Sequence, residues 1–250
     1  MTRPDQTPLV TFAGAGPGAA DHVTLAVARA LAEADVVLHD RLVGPQVLAL
    51  AGPQALMIEV GKQGFGPSLA QETITGLILG FAREGRSVLR LKSGDPAVFG
   101  RLGEETAALE IAGIPYRVLP GITAASAAAA ALGQSLTERG RNKELRLVTG
   151  HDAEGFSESD WAALARPGAV AAIYMGKAAA RFIQGRLLMH GAPGETPVTL
   201  VENASRPEQR ICPATLATLP QAAAALSGPA VILLGLAPRA GATALLEHVI

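Results

Sequence analysis

SVLRLKSGDPAVFGRLGEE, residues 87–105, joins a strand, a glycine-punctuated turn and the opening of a helix. SVLRL has the apolar, β-branched character of a buried strand. Ser93-Gly94 is small and flexible, Asp95-Pro96 forces a turn, and Gly100 permits close backbone approach. Arg101, Glu104 and Glu105 then begin a helix, the acids suiting the positive end of its dipole. The same alternation extends outward. Strands are predicted at 9–13, 36–39, 56–60 and 116–119, and helices at 22–34, 45–51, 69–84 and 103–112. Strand and helix in turn imply right-handed crossovers and a mainly parallel sheet. Sites in such sheets lie beyond the carboxyl ends of the strands.

The second half departs from this rhythm. Residues 145–149 and 169–174 again read as strands followed by helices. VTLVENASRPEQRICPATL, 198–216, instead reads as two strands joined by a turn-rich loop at 203–208, which predicts a hairpin and a mixed sheet. A last buried strand is expected at 230–234. A strand ending in Leu119-Pro120-Gly121 marks the boundary between two α/β domains, 1–120 and 121–250. The alanine run 124–131 predicts a helix packed closely on a sheet.

Composition narrows the function. In 250 residues, 49% are hydrophobic and 17% charged, enough to bury a sizeable core. A net charge of −1 offers no footprint for nucleic acid or an anionic membrane. Cys212 is the single cysteine, so no internal disulfide or thiolate metal cluster can form. The start, MTRPDQTPLVTF, lacks a signal-peptide pattern, and the longest apolar stretch, 122–132, is too short to span a bilayer. A soluble cytoplasmic protein is expected. His22, His39, His151, His190 and His248 show no ligand spacing, so no metal is expected.

FAGAGPGAAD, residues 12–21, is a glycine-rich turn open to three readings. Gly14, Gly16 and Ala19 formally satisfy a dinucleotide fingerprint, with Asp40 where a ribose-binding acid could sit. Against this, Pro17 removes a backbone donor, Asp21 with Thr24 after it places the helix N-cap beyond the glycines, and Arg41 adjoins Asp40. The second reading is a tight turn needing glycine for its backbone. The third is a loop that lets another ligand approach closely.

Arg101, three residues from Glu104 at a carboxyl edge, can bind an acidic substrate and orient a proton acceptor. GAGPG, LHDRLV, GKQG followed by Ser68 and Gln71-Glu72, RLKSGDPAVFGR, PGITAASAAAA and VENASRPEQR occur in the order that resembles the tetrapyrrole methylase family. The likeness runs from about Leu9 to about Leu236. HDRLV and the GK element favour the members that methylate uroporphyrinogen III over the cobalt-precorrin methylases and diphthine synthase.

The resemblance implies a class III methyltransferase of two α/β domains with a cleft site, usually a homodimer. It uses S-adenosyl-L-methionine and releases S-adenosyl-L-homocysteine. It implies methylation of uroporphyrinogen III at C2 and C7 to give precorrin-2, for cobalamin, sirohaem or haem d1. Cofactor positions match Pro17, Ser93, Gly94, Asp95, Val98, Thr123, Ala124, Met175, Asn203, Ala204 and Ala230. Arg41, Lys62, Arg101 and Arg139 resemble substrate-side cations, with Asp40 the proton acceptor and Lys62 a proton donor. Arg101 and Glu104 compete for a further acid–base role, Arg101 acting more through binding and field, since guanidinium rarely deprotonates. Ser93, Gln63, Ala97 and Glu138 depart from the family's usual glycine, arginine, phenylalanine and histidine. The chain lacks room for the fused dehydrogenase and ferrochelatase module of some relatives, so a methylase alone is expected.

Overall fold

The computed structural model describes residues 10–61, 70–152 and 155–240. Lys62, Gln63, Ser68 and His248 lie outside the described residues. The chain divides into two compact units, Met1–Thr123 and Ala124–Ile250.

In the first unit, β1 (Val10–Gly14), β2 (Val36–His39), β3 (Leu56–Glu59), β4 (Val88–Lys92) and β5 (Tyr116–Leu119) form one sheet in the order β3-β2-β4-β1-β5. Every neighbouring pair is parallel. The connections carry α1 (Leu25–Glu33), α2 (Pro45–Leu48), α3 (Gln71–Arg83) and α4 (Leu102–Ile111). Side chains alternate across a strand, so each strand serves two faces. Val10, Phe12, Val36, Leu38 and Val88 pack with Ile74, Ile78 and Ala82 of α3 and Leu109 of α4. Ala13, Val37, Leu89 and Leu91 pack with Val27, Ala30 and Leu31 of α1 and Val47 of α2. The sheet is therefore covered by helices on both faces, as its continuous apolar strands require.

One predicted cap is corrected. Thr24, not Asp21, caps α1: its hydroxyl accepts the Val27 N–H at 3.3 Å. Asp21 lies in a preceding 3₁₀ turn, Ala20–His22. That turn carries the chain away from the glycines and postpones the helix.

The second unit contains β6 (Arg146–Thr149), β7 (Ala171–Tyr174), β8 (Pro197–Glu202), β9 (Arg210–Thr215) and β10 (Ala230–Leu234), ordered β6-β7-β10-β8-β9. β6 and β7 are parallel, while β10 runs antiparallel to both β7 and β8. β8 and β9 are the expected hairpin. The sheet is mixed. The alanine run is α5 (Ala124–Ala131), and Ala125, Ala127 and Ala128 pack against Val170, Ala172, Val201, Val231 and Leu233. Alanine lets that backbone approach the sheet closely. The opposite face packs on α6 (Trp161–Leu164), α7 (Ala180–Met189) and α8 (Leu219–Ala224). Among the described residues no helix is long and apolar enough to cross a membrane.

Candidate active site

At the carboxyl edge of the first sheet, three loops meet backbone to backbone. A methyl group on Gly14 would stand 2.5 Å from the Gly121 Cα and 2.6 Å from the Gly94 carbonyl oxygen. Gly16 and Gly94 exchange two hydrogen bonds, at 3.1 and 2.8 Å, and the Ala15 N–H donates to the Lys92 carbonyl. Both glycines have positive φ, 71° and 68°, which glycine alone adopts without cost. These contacts account for Gly14 and Gly16 without a pyrophosphate. Because α1 begins only at Leu25, its positive end lies well along the chain from the glycines, which removes the physical basis of the dinucleotide reading. Gly94 itself is bare: a Cβ there would meet nothing nearer than the Thr123 Cα at 4.0 Å.

Asp95 fastens this edge. One carboxylate oxygen accepts the Ala97 N–H at 2.7 Å, and the other accepts the Gly121 N–H at 3.0 Å. The turn predicted at Asp95-Pro96 thus also ties the β4 loop to the β5 loop. Val98 is half-buried and Ala97 exposed, while Pro17 and Ser93 are half-buried.

Asp40 follows β2 directly. Its Oδ1 lies 2.5 Å from Arg90 Nη2, and its Oδ2 accepts the Ser93 N–H at 3.2 Å. Arg90 continues to Glu105, at 3.1 Å, and Glu105 meets Lys92 at 2.6 Å. Burial, reinforced by the Arg90 charge, pushes the Lys92 ammonium below its ordinary range against the pull of Glu105. Glu105 is not the solvated first-turn acid its position suggests. It is fully buried and also accepts from Gln71 Nε2 at 3.0 Å. The signal was present but unread: Glu105 precedes buried Leu109 by one helical turn, and Arg90 and Lys92 share one face of a buried strand.

Arg101 and Glu104 form a separate, two-pronged pair, Nε to Oε1 at 2.8 Å and Nη2 to Oε2 at 2.6 Å. The pair is open to solvent, with side chains 57% and 52% exposed. The Arg101 hydrogen bond holds Glu104 below the usual carboxylate range, and Glu104 in turn raises Arg101. Arg41 and Arg139 are exposed, each in its own unit. Glu138, beside Arg139, pairs with Arg141 at 2.9 Å.

In the second unit, Met175 follows β7 and Asn203-Ala204 follows β8. Asn203 donates its N–H to the Pro229 carbonyl at 2.9 Å, and its side chain covers Gly228. Ala230, the first residue of β10, stands opposite Glu202. Glu202 is fully buried and was not anticipated as a site residue. It accepts the Gly228 N–H and pairs with Arg210 at 3.1 Å. Lys177 donates to the carbonyls of Leu226, Ser227 and Gly228 at 3.4, 3.0 and 3.0 Å.

Backbone strain adds an independent mark. Among the described residues, the non-glycine residues at positive φ are Phe99, Arg101, Met175, Asn203 and Ser205. Each costs on the order of 1–3 kcal/mol, and such residues concentrate at functional loops. All five lie in the segments that follow β4, β7 and β8, and Arg101, Met175 and Asn203 are themselves predicted site residues.

A double-wound parallel sheet, a mixed sheet and glycine-bearing loops at the strand ends define an α/β enzyme architecture. Residues 9–220 match the Tetrapyrrole (Corrin/Porphyrin) Methylases, and the chain belongs to that family. A crystal structure of uroporphyrin-III C-methyl transferase from Thermus thermophilus, complexed with S-adenyl homocysteine, is similar with a TM-score of 0.78. It is 38% identical, over 90% of this chain and 96% of that one. A cobalt precorrin-4 methyltransferase is similar with a TM-score of 0.81 at 28% identity, over 91% of this chain and 94% of that one. The siroheme synthase of Xylella fastidiosa is 46% identical over 250 residues, 97% of this chain and 52% of the relative. Siroheme synthase 1 of Aeromonas hydrophila is also 46% identical, over 90% of this chain and 49% of the relative. The chain thus spans about half the length of the curated relatives it matches.

Proposed function

We propose that this chain transfers methyl groups from S-adenosyl-L-methionine to C2 and C7 of uroporphyrinogen III, giving precorrin-2. The observation that carries the reading is the coincidence of strained or bare backbone with the family's cofactor positions: Gly94, Met175 and Asn203. Likeness over nearly the whole length of an S-adenyl homocysteine-bound uroporphyrin-III C-methyl transferase supports the substrate. We further propose a cytoplasmic homodimer.

The residues present suit the cofactor. Gly94 leaves an uncovered face on a loop already fixed by Gly16 and Asp95. Family likeness assigns cofactor positions to Pro17, Ser93, Gly94, Asp95, Val98, Thr123, Ala124, Met175, Asn203, Ala204 and Ala230. When bound, the cofactor supplies an electrophilic methyl on a sulfonium. The protein's task is then positioning and charge management. Asp40 accepts the one proton the ring loses for each methyl gained. Lys62, the proposed donor, returns a proton to the ring only where a second is removed in tautomerisation, so the balance stays at one lost. Arg41, Arg101 and Arg139 meet substrate carboxylates, scattered as an octa-acid on a flexible macrocycle requires. Glu104 holds the Arg101 fork in one plane.

Calorimetric titration with S-adenosyl-L-methionine and with NAD(P)H, and mass spectrometry of uroporphyrinogen III after incubation with both reactants, test the reading. Saturable cofactor binding and a gain of two methyl groups are expected. Asp40→Asn, Lys62→Met, Arg101→Lys and Glu104→Gln are each expected to lower turnover, by about 10²-fold where a proton is moved. Wild-type turnover in all four would overturn the assignment.

A further inference from the structure

Four charged side chains lie in a row beneath the carboxyl ends of β2 and β4: Asp40, Arg90, Glu105 and Lys92. The Asp40 side chain is 26% exposed, whereas those of Arg90, Glu105 and Lys92 are at most 4% exposed. The row therefore has one open end, and that end is Asp40. Stability is a weak reason for such a row, because desolvating buried charges offsets most of their attraction. What the row supplies is geometry. Arg90 Nε donates to Glu105, and Nη1 donates to the carbonyls of Leu38 at 3.3 Å and Leu91 at 3.2 Å. The guanidinium plane is thus fixed to both strands and to α4, with Nη2 left to hold Asp40. Glu105 is itself fixed, by Gln71 on one oxygen and Lys92 on the other. A lysine at 90 would keep the charge and lose the fork that reaches both carboxylates.

We propose that Arg90, anchored by Glu105, is the positioning residue for Asp40. It sets the carboxylate's orientation from below while the Ser93 N–H fixes the other oxygen from the cofactor loop. This inference rests on the reading of Asp40 as the proton acceptor. The row makes Asp40 a preorganised acceptor whose carboxylate need not search rotamers when substrate binds. A misplaced acceptor costs turnover without costing cofactor affinity, which separates positioning from simple loss of structure.

The test is a double-mutant cycle on turnover with Arg90→Lys and Asp40→Asn, alongside cofactor Kd and thermal midpoint. Arg90→Lys should lower kcat by about 10- to 100-fold with cofactor Kd changed less than about threefold. The double variant should fall no more than about twofold below Asp40→Asn alone, because the acceptor that Arg90 positions is already gone. Losses that multiply, or wild-type kcat in Arg90→Lys, would overturn the positioning role while leaving Asp40 as acceptor. Wild-type kcat in Asp40→Asn would instead remove the acceptor reading, and the positioning role with it. Should Arg90→Lys fail to fold, Lys92→Met with Glu105→Gln removes one charge of each sign from behind Arg90. That pair should lower kcat about fivefold without multiplying the Asp40→Asn loss; unchanged kcat or multiplication would overturn the inference.

Discussion

Among the described residues each unit buries one glutamate completely, Glu105 in the first and Glu202 in the second, and satisfies it in a different way. Glu105 is met by side chains: Arg90, Lys92 and Gln71, from β4 and α3. Glu202 is met mainly by backbone. Burial pushes its carboxyl up, but the N–H groups of Gly228 and Ser227, then Arg210 and Lys177, outweigh this and hold it below the ordinary range. In the first unit, charge answers charge and produces a rigid platform under Asp40. In the second, a carboxylate and Lys177 grip the N–H and C=O groups of one loop, 226–228, beside Asn203 and Ala230. The difference predicts which partner each glutamate can lose.

The largest effect is expected at Glu105. Glu105→Ala leaves Lys92 buried without its carboxylate and Arg90 with half its anchor, and should cost about 3–5 kcal/mol in urea unfolding. A loss under 1 kcal/mol would mean that water or another acceptor replaces Glu105, and the platform would lose its physical basis. Glu202→Gln should cost less, about 1–3 kcal/mol, because the amide keeps an oxygen for the backbone but loses the charge. Here pH sharpens the comparison. A carboxyl depressed in the folded state stabilises above its unfolded value, about pH 4.3, and that contribution is lost as pH falls through the folded value. Wild type should therefore approach Glu202→Gln in stability on acidification from pH 6 to pH 3. A gap that stayed constant across that range would count against the charged role.

The contrast also shows what was legible beforehand. Alternation of apolar strands and helices carried the fold, because the three central strands of the first sheet, β1, β2 and β4, are buried on both faces, while the edge strands β3 and β5 are partly exposed. The hairpin at β8 and β9 was legible because Pro207 and neighbouring polar residues separate the β-branched run 198–201 from a second, less regular run at 210–215. In the sequence, the proposed site residues Asp40, Arg101, Met175 and Asn203 rest on family likeness alone. For Arg90, Lys92, Glu105 and Glu202 the sequence pattern can suggest burial but not which charges meet. Glu105 and Arg90 are brought together only when α4 packs back on β4, and Glu202 meets Gly228 only when β10 inserts between β7 and β8. The N-cap shifted from Asp21 to Thr24 for a similar reason: the turn at Ala20–His22 is set by contact with the glycine loop, where the His22 carbonyl crowds Gly16.

The smallest effect should come from Arg210. It faces Glu202 directly across the β8–β9 pair, a cross-strand arrangement that suggests a strong ion pair. Its side chain is nevertheless 55% exposed, so water screens its charge and recovers its donors when the pair breaks. Glu202 would keep the Gly228 and Ser227 N–H groups and the nearby Lys177. Arg210→Gln should therefore cost about 0.5 kcal/mol, near the ordinary range for a surface pair, and leave cofactor Kd within about twofold. Urea unfolding at low and high salt checks this, since a screened pair loses its small contribution as salt rises. A cost near that of Glu105→Ala, insensitive to salt, would show that Glu202 depends on its cation as Glu105 does. The two units would then share one solution to the buried acid.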